Sequence, residues 1–202
     1  MFTRFVLALT VVAGLSACAG KAPYATDEAV QAATFVADAP PSVTLFTVLN
    51  NRSGGGAHSG LLINGSQRVM FDPAGSWYHP RLPERNDVHF GITDKMIAFY
   101  VDFHARETFR VVQQTVPVSA AVAQQIMNNA LAYGAVPPAQ CTHSVSAVLR
   151  DVPGFESLNG TWFPKRLMES FAELPGVVEK VITDEDADDN HGVLLVQANS
   201  SD

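Results

Sequence analysis

Basic residues are scarce in this 202-residue chain, which has 13 lysines and arginines against 20 aspartates and glutamates and a formal charge of −7. Nucleic-acid binding needs a basic stripe that neutralises phosphates, and because none is visible we exclude nucleic acid as a partner. Internal repeats and metal-ligand spacings such as His-x-x-x-His or Cys-x-x-Cys are also missing, so we predict neither a metal nor another cofactor. The remaining composition, 47% hydrophobic and 16% charged, is typical of one globular domain.

The first seventeen residues predict a signal peptide. Arg4 supplies a positive start, and residues 5–15 form an apolar run that is too short to span a bilayer as a mature helix. The following Leu15-Ser16-Ala17-Cys18 resembles the lipobox of bacterial lipoproteins, whose cysteine becomes the acylated N-terminus after cleavage. The resemblance implies that Cys18 is lipidated and that the membrane holds the protein through this anchor. Because Ala19 rather than aspartate follows, it also implies the outer membrane, on the periplasmic face. An ordinary secretory signal that happens to contain a cysteine is the alternative.

Only two cysteines occur in the chain, Cys18 and Cys141. If Cys18 carries lipid, Cys141 is left alone in an oxidising compartment, where a free thiol is a liability unless it is buried or has a chemical role. Taken alone, Cys141 fits a buried structural thiol as well as it fits a catalytic one.

The mature chain divides into three parts by composition. Residues 18–41 are rich in Ala, Pro, Asp and Thr, which predicts a lipidated N-terminus and flexible tether with one loose helical turn at 27–33. Residues 42–183 carry the periodic patterns of a folded domain. Residues 184–202 begin with an acidic run and are predicted to form a solvated C-terminal tail.

Within the domain, strand patterns come first and helical patterns later, which predicts an α+β fold. Residues 77–88 are polar and predict an exposed loop, while 95–103 fit helix or strand. For the helix at 119–134, Ser119 is the expected N-cap and Gly134 the expected stop. The predicted strands are 43–49, 57–63, 67–71, 109–116 and 177–182, and the other predicted helices are 139–149 and 164–174.

Three residues in this frame have the chemistry of thiol catalysis: His58, Asp72 and Cys141. Such catalysis needs a thiolate, an imidazole that moves its proton, and a polar group that orients the imidazole. Cys141 follows Pro137-Pro138 in the first turn of its predicted helix, where unpaired backbone N–H groups lower a thiol pKa and can bind an oxyanion. Each residue also has an ordinary structural explanation, since His58 fits a satisfied strand histidine and Asp72 precedes Pro73 as in a common turn.

The hairpin around Asn64-Gly65 decides whether His58 and Asp72 can meet. A two-residue turn pairs His58 with Phe71 and turns Asp72 to the opposite face of the sheet. A three-residue Asn64-Gly65-Ser66 loop, or a bulge, pairs His58 directly with Asp72. The catalytic assignment therefore predicts the longer connection.

At these residues the sequence resembles permuted NlpC-type papain-like enzymes, a group that includes the lecithin retinol acyltransferase-like and YiiX-like families. The resemblance rests on His58-Ser59-Gly60, on Cys141-Thr142-His143-Ser144-Val145, and on the proline-led Pro164-Lys165-Arg166-Leu167-Met168. It implies a small antiparallel sheet packed on the cysteine-bearing helix, with Cys141 as nucleophile, His58 as base and Asp72 as orienting residue. Gln140 stands where many relatives have asparagine.

The resulting hypothesis is an envelope-anchored cysteine hydrolase or acyltransferase that acts on amide or ester bonds through a thioacyl intermediate. Peptidoglycan stem peptides and lipid-type amides or esters fit it equally well as substrates. A catalytically inactive lipoprotein that binds a partner or scaffolds the envelope is the alternative. His143 is expected at the surface or behind the site, and His79, His89 and His104 have no metal-ligand spacing.

Overall fold

The computed structural model describes residues 23–200. The predicted signal peptide and Cys18 lie outside this range. The α+β class is confirmed, since the described chain folds as a seven-stranded antiparallel sheet with helices on both faces. The strands are β1 (Ser42–Asn50), β2 (Gly56–Asn64), β3 (Arg68–Phe71), β4 (Glu84–Arg85), β5 (Val88–Phe90), β6 (Phe109–Pro117) and β7 (Val178–Ile182). The helices are α1 (Asp27–Ala32), α2 (Asp94–His104), α3 (Ala120–Tyr133), α4 (Cys141–Leu149), α5 (Pro164–Ala172) and α6 (Asn190–Asn199).

The strands lie in the order β4-β5-β3-β2-β1-β6-β7, so β1 and β2 are at the centre. β1 is an almost continuous run of branched and aromatic residues, and seven of its nine residues are buried because both of its faces are covered. Leu45 points into a core shared with α3, α4 and α5, whereas its neighbour Phe46 points into a second core shared with α2. Between residues 23 and 200, no helix has the length and apolar character needed to cross a membrane.

The helix signals in the sequence explain most of the helix ends. The Ser119 hydroxyl accepts the Val122 N–H as the expected N-cap, and Gly134 follows α3 with φ of 90°. The ambiguous segment 95–103 lies in α2, because the Thr93 hydroxyl caps the first turn by accepting the Met96 N–H. The buried residues of α2, Met96, Tyr100 and Phe103, have helical spacing and face the second core.

Three segments differ from the expectations for loops and tails. Trp77, in the segment predicted to be an exposed loop, is only 2% exposed and donates its indole N–H to Gln197 of α6. Part of the predicted tether is ordered against the domain, since Arg85 binds both the Ala25 carbonyl and the Asp27 carboxylate. The polar composition of these segments predicted exposure, but their partners lie at residues distant in sequence.

The predicted acidic tail is likewise structured within the described range. Asp189 caps α6 by accepting the Gly192 N–H, and Val193 and Leu194 of that helix pack against the second core. Ahead of the helix, the Asp186 carboxylate accepts a hydrogen bond from buried Arg106. The packed unit therefore extends beyond the predicted boundaries of 42–183 in both directions.

Candidate active site

The hairpin between β2 and β3 has three residues in its connection, as the catalytic assignment requires, but they lie one position later than expected. Asn64 pairs with Arg68 and Leu61 with Phe71, so the connection is 65–67. Continuing this register places Gly60 opposite Asp72, with His58 on the diagonal. The shift of two residues in the pairing keeps both side chains on the same face of the sheet, because side chains alternate with a period of two.

His58 and Asp72 form a short hydrogen bond across this diagonal. Nε2 of His58 lies 2.6 Å from Oδ1 of Asp72, and since an ionised carboxylate can only accept, Nε2 carries the proton. The His58 side chain is 14% exposed and that of Asp72 is fully buried. The other ring nitrogen, Nδ1, is left for proton exchange with a further group.

Gly60 makes room for a third member of this network. The Tyr100 hydroxyl donates to the same Oδ1 of Asp72 at 2.8 Å, reaching it from α2. A Cβ atom on residue 60 would clash with this hydroxyl and lie 3.3 Å from Oδ1. The missing side chain of Gly60 therefore lets Tyr100 and Asp72 meet beneath His58.

Cys141 is the first residue of α4, the helix that packs on β2. Gln140 provides no side-chain cap, and the first backbone bond of the helix runs from the Ser144 N–H to the Gln140 carbonyl. The N–H groups of the first turn therefore remain without partners inside the helix. The thiol is 8% exposed and lies 3.8 Å from the Thr142 hydroxyl, which in turn is 3.0 Å from the Ser59 hydroxyl.

His58 is the main group that lowers the pKa of the Cys141 thiol. Burial of the thiol raises its pKa, but the influence of the neighbouring His58 imidazole, with smaller contributions from the Ser59 backbone and the Thr142 hydroxyl, outweighs burial and lowers the Cys141 pKa to about 7. A thiolate is thus well populated at neutral pH.

The charge on Asp72 governs the protonation of His58. Burial lowers the pKa of His58, yet the neighbouring carboxylate more than compensates and raises it well above its ordinary value. Burial likewise raises the pKa of Asp72, and the His58 charge outweighs it, so the Asp72 pKa falls below its ordinary value. The three groups together favour a resting thiolate and imidazolium.

His104 is a fourth ionisable group at this site, and its role was not recognised in the sequence. Its ring stacks on that of His58 with centroids 5.5 Å apart and planes at 4°. Burial lowers the His104 pKa to about 4, so the ring is neutral. His104 lies four residues after Tyr100 on α2, and this spacing places both side chains on one face of the helix. Donor atoms of His58, Asp72 and His104 lie within 4.8 Å of one another, a set that can hold a metal ion.

The other singled-out histidines lie outside this cluster. His143, in the first turn of α4, stacks on the half-exposed ring of Trp162 with centroids 4.4 Å apart. His79 bonds to the Gln197 carbonyl, and His89 contacts the ring of Trp77.

A cavity of about 410 Å³ opens beside His58 and His104. It gives small molecules or ions a path to the imidazole pair. Its wall also includes Gly75, Ser76, Phe103 and Asn190.

No protein-family model, curated protein or solved structure matches this chain.

Proposed function

We propose that the protein is a thiol hydrolase or acyltransferase of the permuted papain-like type. The observation that carries the proposal is the 2.6 Å hydrogen bond between His58 and Asp72, in which the carboxylate raises the pKa of His58, while His58 in turn lowers the pKa of Cys141. A nucleophile, a base and an orienting carboxylate in this order are the groups that acyl transfer through a thiol requires. The sequence order, histidine before cysteine, supports the permuted arrangement.

The reaction begins with attack of the Cys141 thiolate on an amide or ester carbonyl carbon. The carbonyl oxygen takes the electron pair, and the unpaired N–H groups at the start of α4 are placed to stabilise its charge. As the tetrahedral intermediate collapses, His58 gives its Nδ1 proton to the leaving amine or alcohol, and Cys141 is left as a thioester.

The second half of the reaction returns the enzyme to its resting state. Neutral His58 accepts a proton from water or from another acceptor, whose oxygen or nitrogen attacks the thioester carbonyl. The Cys141 thiolate then leaves, and the acyl group departs as a free acid, an ester or an amide. Throughout, Asp72 holds the Nε2 proton, so that Nδ1 is the nitrogen that exchanges protons with the reacting groups.

The proposed setting is the periplasmic face of the outer membrane. The lipobox-like segment that ends at Cys18 supports an acyl anchor there. Amide bonds in peptidoglycan stem peptides and amide or ester bonds in lipids are both within reach of an anchored enzyme, and both belong to the substrate class proposed here.

Thiol labelling tests the proposal without knowledge of the substrate. At pH 7, iodoacetamide should label Cys141 faster than it labels glutathione, and His58→Ala should slow this labelling. At pH 7 a Cys141 pKa of about 7 leaves about half of the thiol ionised, whereas the ordinary value of 9 leaves about one hundredth, which is roughly fiftyfold less thiolate. The greater nucleophilicity of the more basic thiolate offsets part of this loss. We therefore expect labelling to slow by about tenfold.

His143→Ala is the matched control, because it removes an imidazole from the same helical turn outside the Cys141–His58–Asp72 series. It should leave the labelling rate unchanged. A Cys141 with ordinary reactivity that ignores His58 would contradict the proposal and favour the inactive binding or scaffolding lipoprotein. A direct test of acyl transfer is p-nitrophenyl acetate, which should release nitrophenolate in a burst and leave an acetyl group on Cys141 detectable by mass spectrometry.

A further inference from the structure

His104 has a structural environment that the thiol reaction does not use. Its Nδ1 donates to the Tyr100 carbonyl at 2.8 Å, which fixes the tautomer and leaves the Nε2 lone pair available. Metal-binding histidines characteristically donate their second nitrogen to a backbone carbonyl in this way. The ring is held in place by its contacts with His58, Tyr100 and Phe103.

Asp72 supplies a second observation that points to a ligand. Its Oδ1 already takes two hydrogen bonds, from His58 and Tyr100. Its Oδ2 is buried and has no hydrogen-bond partner among residues 23–200. Oδ2 lies against Gly75, a residue of the cavity wall next to His58 and His104. A buried carboxylate oxygen without a partner is costly unless something binds it.

We propose that His58, Asp72 and His104 form a binding site for a zinc ion, which enters through the adjoining cavity. Two imidazoles and one carboxylate are donors that suit Zn²⁺ and leave a fourth position open. Their donor atoms lie within 4.8 Å of one another. Ligands of one tetrahedral zinc ion are about 3.4 Å apart, so small side-chain rotations bring them into range.

Another carboxylate cluster provides a useful contrast. Asp102, Asp184 and Asp186 also lie close together, but the guanidinium of Arg106 binds both Asp102 and Asp186. A cation is therefore already provided for those acids. The cationic partner of Asp72 is instead the His58 imidazolium, whose Nε2 proton a zinc ion would replace, and Arg106 also lines the adjoining cavity.

Zinc at this site would inhibit the thiol reaction, a consequence that depends on the proposed function. An imidazole that binds metal through Nε2 keeps its proton on Nδ1. His58 then has no lone pair with which to accept a proton from water or another acceptor, so the thioester cannot be resolved. The same ion displaces the hydrogen bond between His58 and Asp72.

Isothermal titration of the protein with ZnCl₂ tests the site independently of any activity. We expect one zinc ion per chain, and Cys141→Ser should bind it equally well. His104→Gln should weaken binding by at least about tenfold, and His104→Phe, which preserves a ring against His58, serves if the glutamine variant does not fold. His191→Gln, which removes an exposed histidine, is the matched control and should bind as the wild type does.

The outcomes separate the site from the enzyme. Absence of binding, binding that survives in His104→Gln and His104→Phe, or binding that disappears in Cys141→Ser would each overturn the site. Hydrolysis of a p-nitrophenyl acetate acyl-enzyme should be slowed by zinc in the wild type and not in His104→Gln. Unchanged hydrolysis with bound zinc would overturn the inhibitory role, whereas an unreactive Cys141 with intact zinc binding would overturn only the proposed function.

Discussion

At the scale of single residues, the Asp72 carboxylate is the group on which the ionisation of the site depends. It accepts from His58 and from Tyr100 through one oxygen, and its negative charge offsets the burial of the imidazole. The thiol depends on the imidazole in turn. A change at Asp72 should therefore alter the pKa of Cys141, because it acts through His58.

Asp72→Asn tests this dependence, because it removes the charge and keeps the shape. Without the charge, burial lowers the His58 pKa and the Cys141 thiolate loses its cationic partner. The midpoint of the pH profile for iodoacetamide labelling should rise from about 7 in the wild type toward the ordinary thiol value of 9. A midpoint that stays near 7 in the variant would show that Asp72 does not control the thiol.

Tyr100→Phe removes one donor from the same carboxylate. The ring keeps its edge contact with Phe46, so the change is confined to a buried hydrogen bond with a charged group. Such a bond contributes about 1.5–3 kcal/mol, and urea unfolding should show a loss of that order. Tyr133→Phe, at a partly exposed position, is the control and should change stability little. Equal losses in the two variants would contradict the role assigned to the Tyr100 hydroxyl.

At the scale of elements, the N-terminal part of β2, which does not pair with β3, accommodates the site. The β2–β3 ladder ends at Leu61 and Phe71, and the Tyr100 hydroxyl of α2 lies over Gly60. Because Gly60 of β2 has no side chain, α2 can bring the Tyr100 hydroxyl close to the strand at this position.

Gly60→Ala should destabilise the protein by about 1–3 kcal/mol, because the new methyl group clashes with the Tyr100 hydroxyl. The cost should be smaller in a Tyr100→Phe background, where the clashing oxygen is gone. Urea unfolding of the four proteins in this double-mutant cycle measures the difference. Strict additivity would mean that the clash lies elsewhere.

The elements with strong local patterns were predictable from the sequence. β1 and β6 are rich in branched residues, and Ser119 and Gly134 bound α3 as their chemistry requires. The length of the hairpin loop was predicted correctly, but its position was wrong by one residue, because a three-residue loop can begin at Asn64 or at Gly65. The resulting shift of two residues in the pairing still leaves His58 and Asp72 on one face of the sheet.

The remaining members of the site could not be predicted in the same way. Tyr100 and His104 meet Asp72 and His58 only through packing between α2 and the sheet, and no local pattern encodes that contact. Trp77 is buried by a helix more than a hundred residues away, so its polar surroundings suggested exposure. Long-range contacts of this kind determine which of several locally reasonable residues become neighbours.

At the scale of the whole molecule, the C-terminal helix α6 packs against the second core and stabilises it. Gln197 accepts from the Trp77 indole and donates to the Phe99 carbonyl and the Asp102 carboxylate. Gln197→Ala should lower the free energy of unfolding by about 1–3 kcal/mol, since it leaves buried groups without partners. Asn199→Ala on the same helix is an exposed control and should have a small effect. Similar melting temperatures for wild type and Gln197→Ala would contradict the stabilising role of the Gln197 hydrogen bonds.

The proposed anchor is tested at the same scale. Cys18→Ser should move the protein from the membrane fraction to the soluble periplasmic fraction, because the acyl chains provide the proposed attachment. Fractionation followed by immunoblotting measures the shift. Membrane association that persists in the unacylated variant would contradict the lipid anchor.

The thiol and its imidazole are 83 positions apart along the chain, on α4 and β2, and only the assembled domain brings them together. The reactivity of Cys141 therefore reports whether the domain is folded. Gentle warming or low denaturant that parts α4 from the sheet makes this sulfur more accessible yet less nucleophilic at neutral pH. Alkylation that slows as the fold loosens is the reverse of what an ordinary buried cysteine does, and it would let the native fraction be followed in crude envelope extracts without any known substrate.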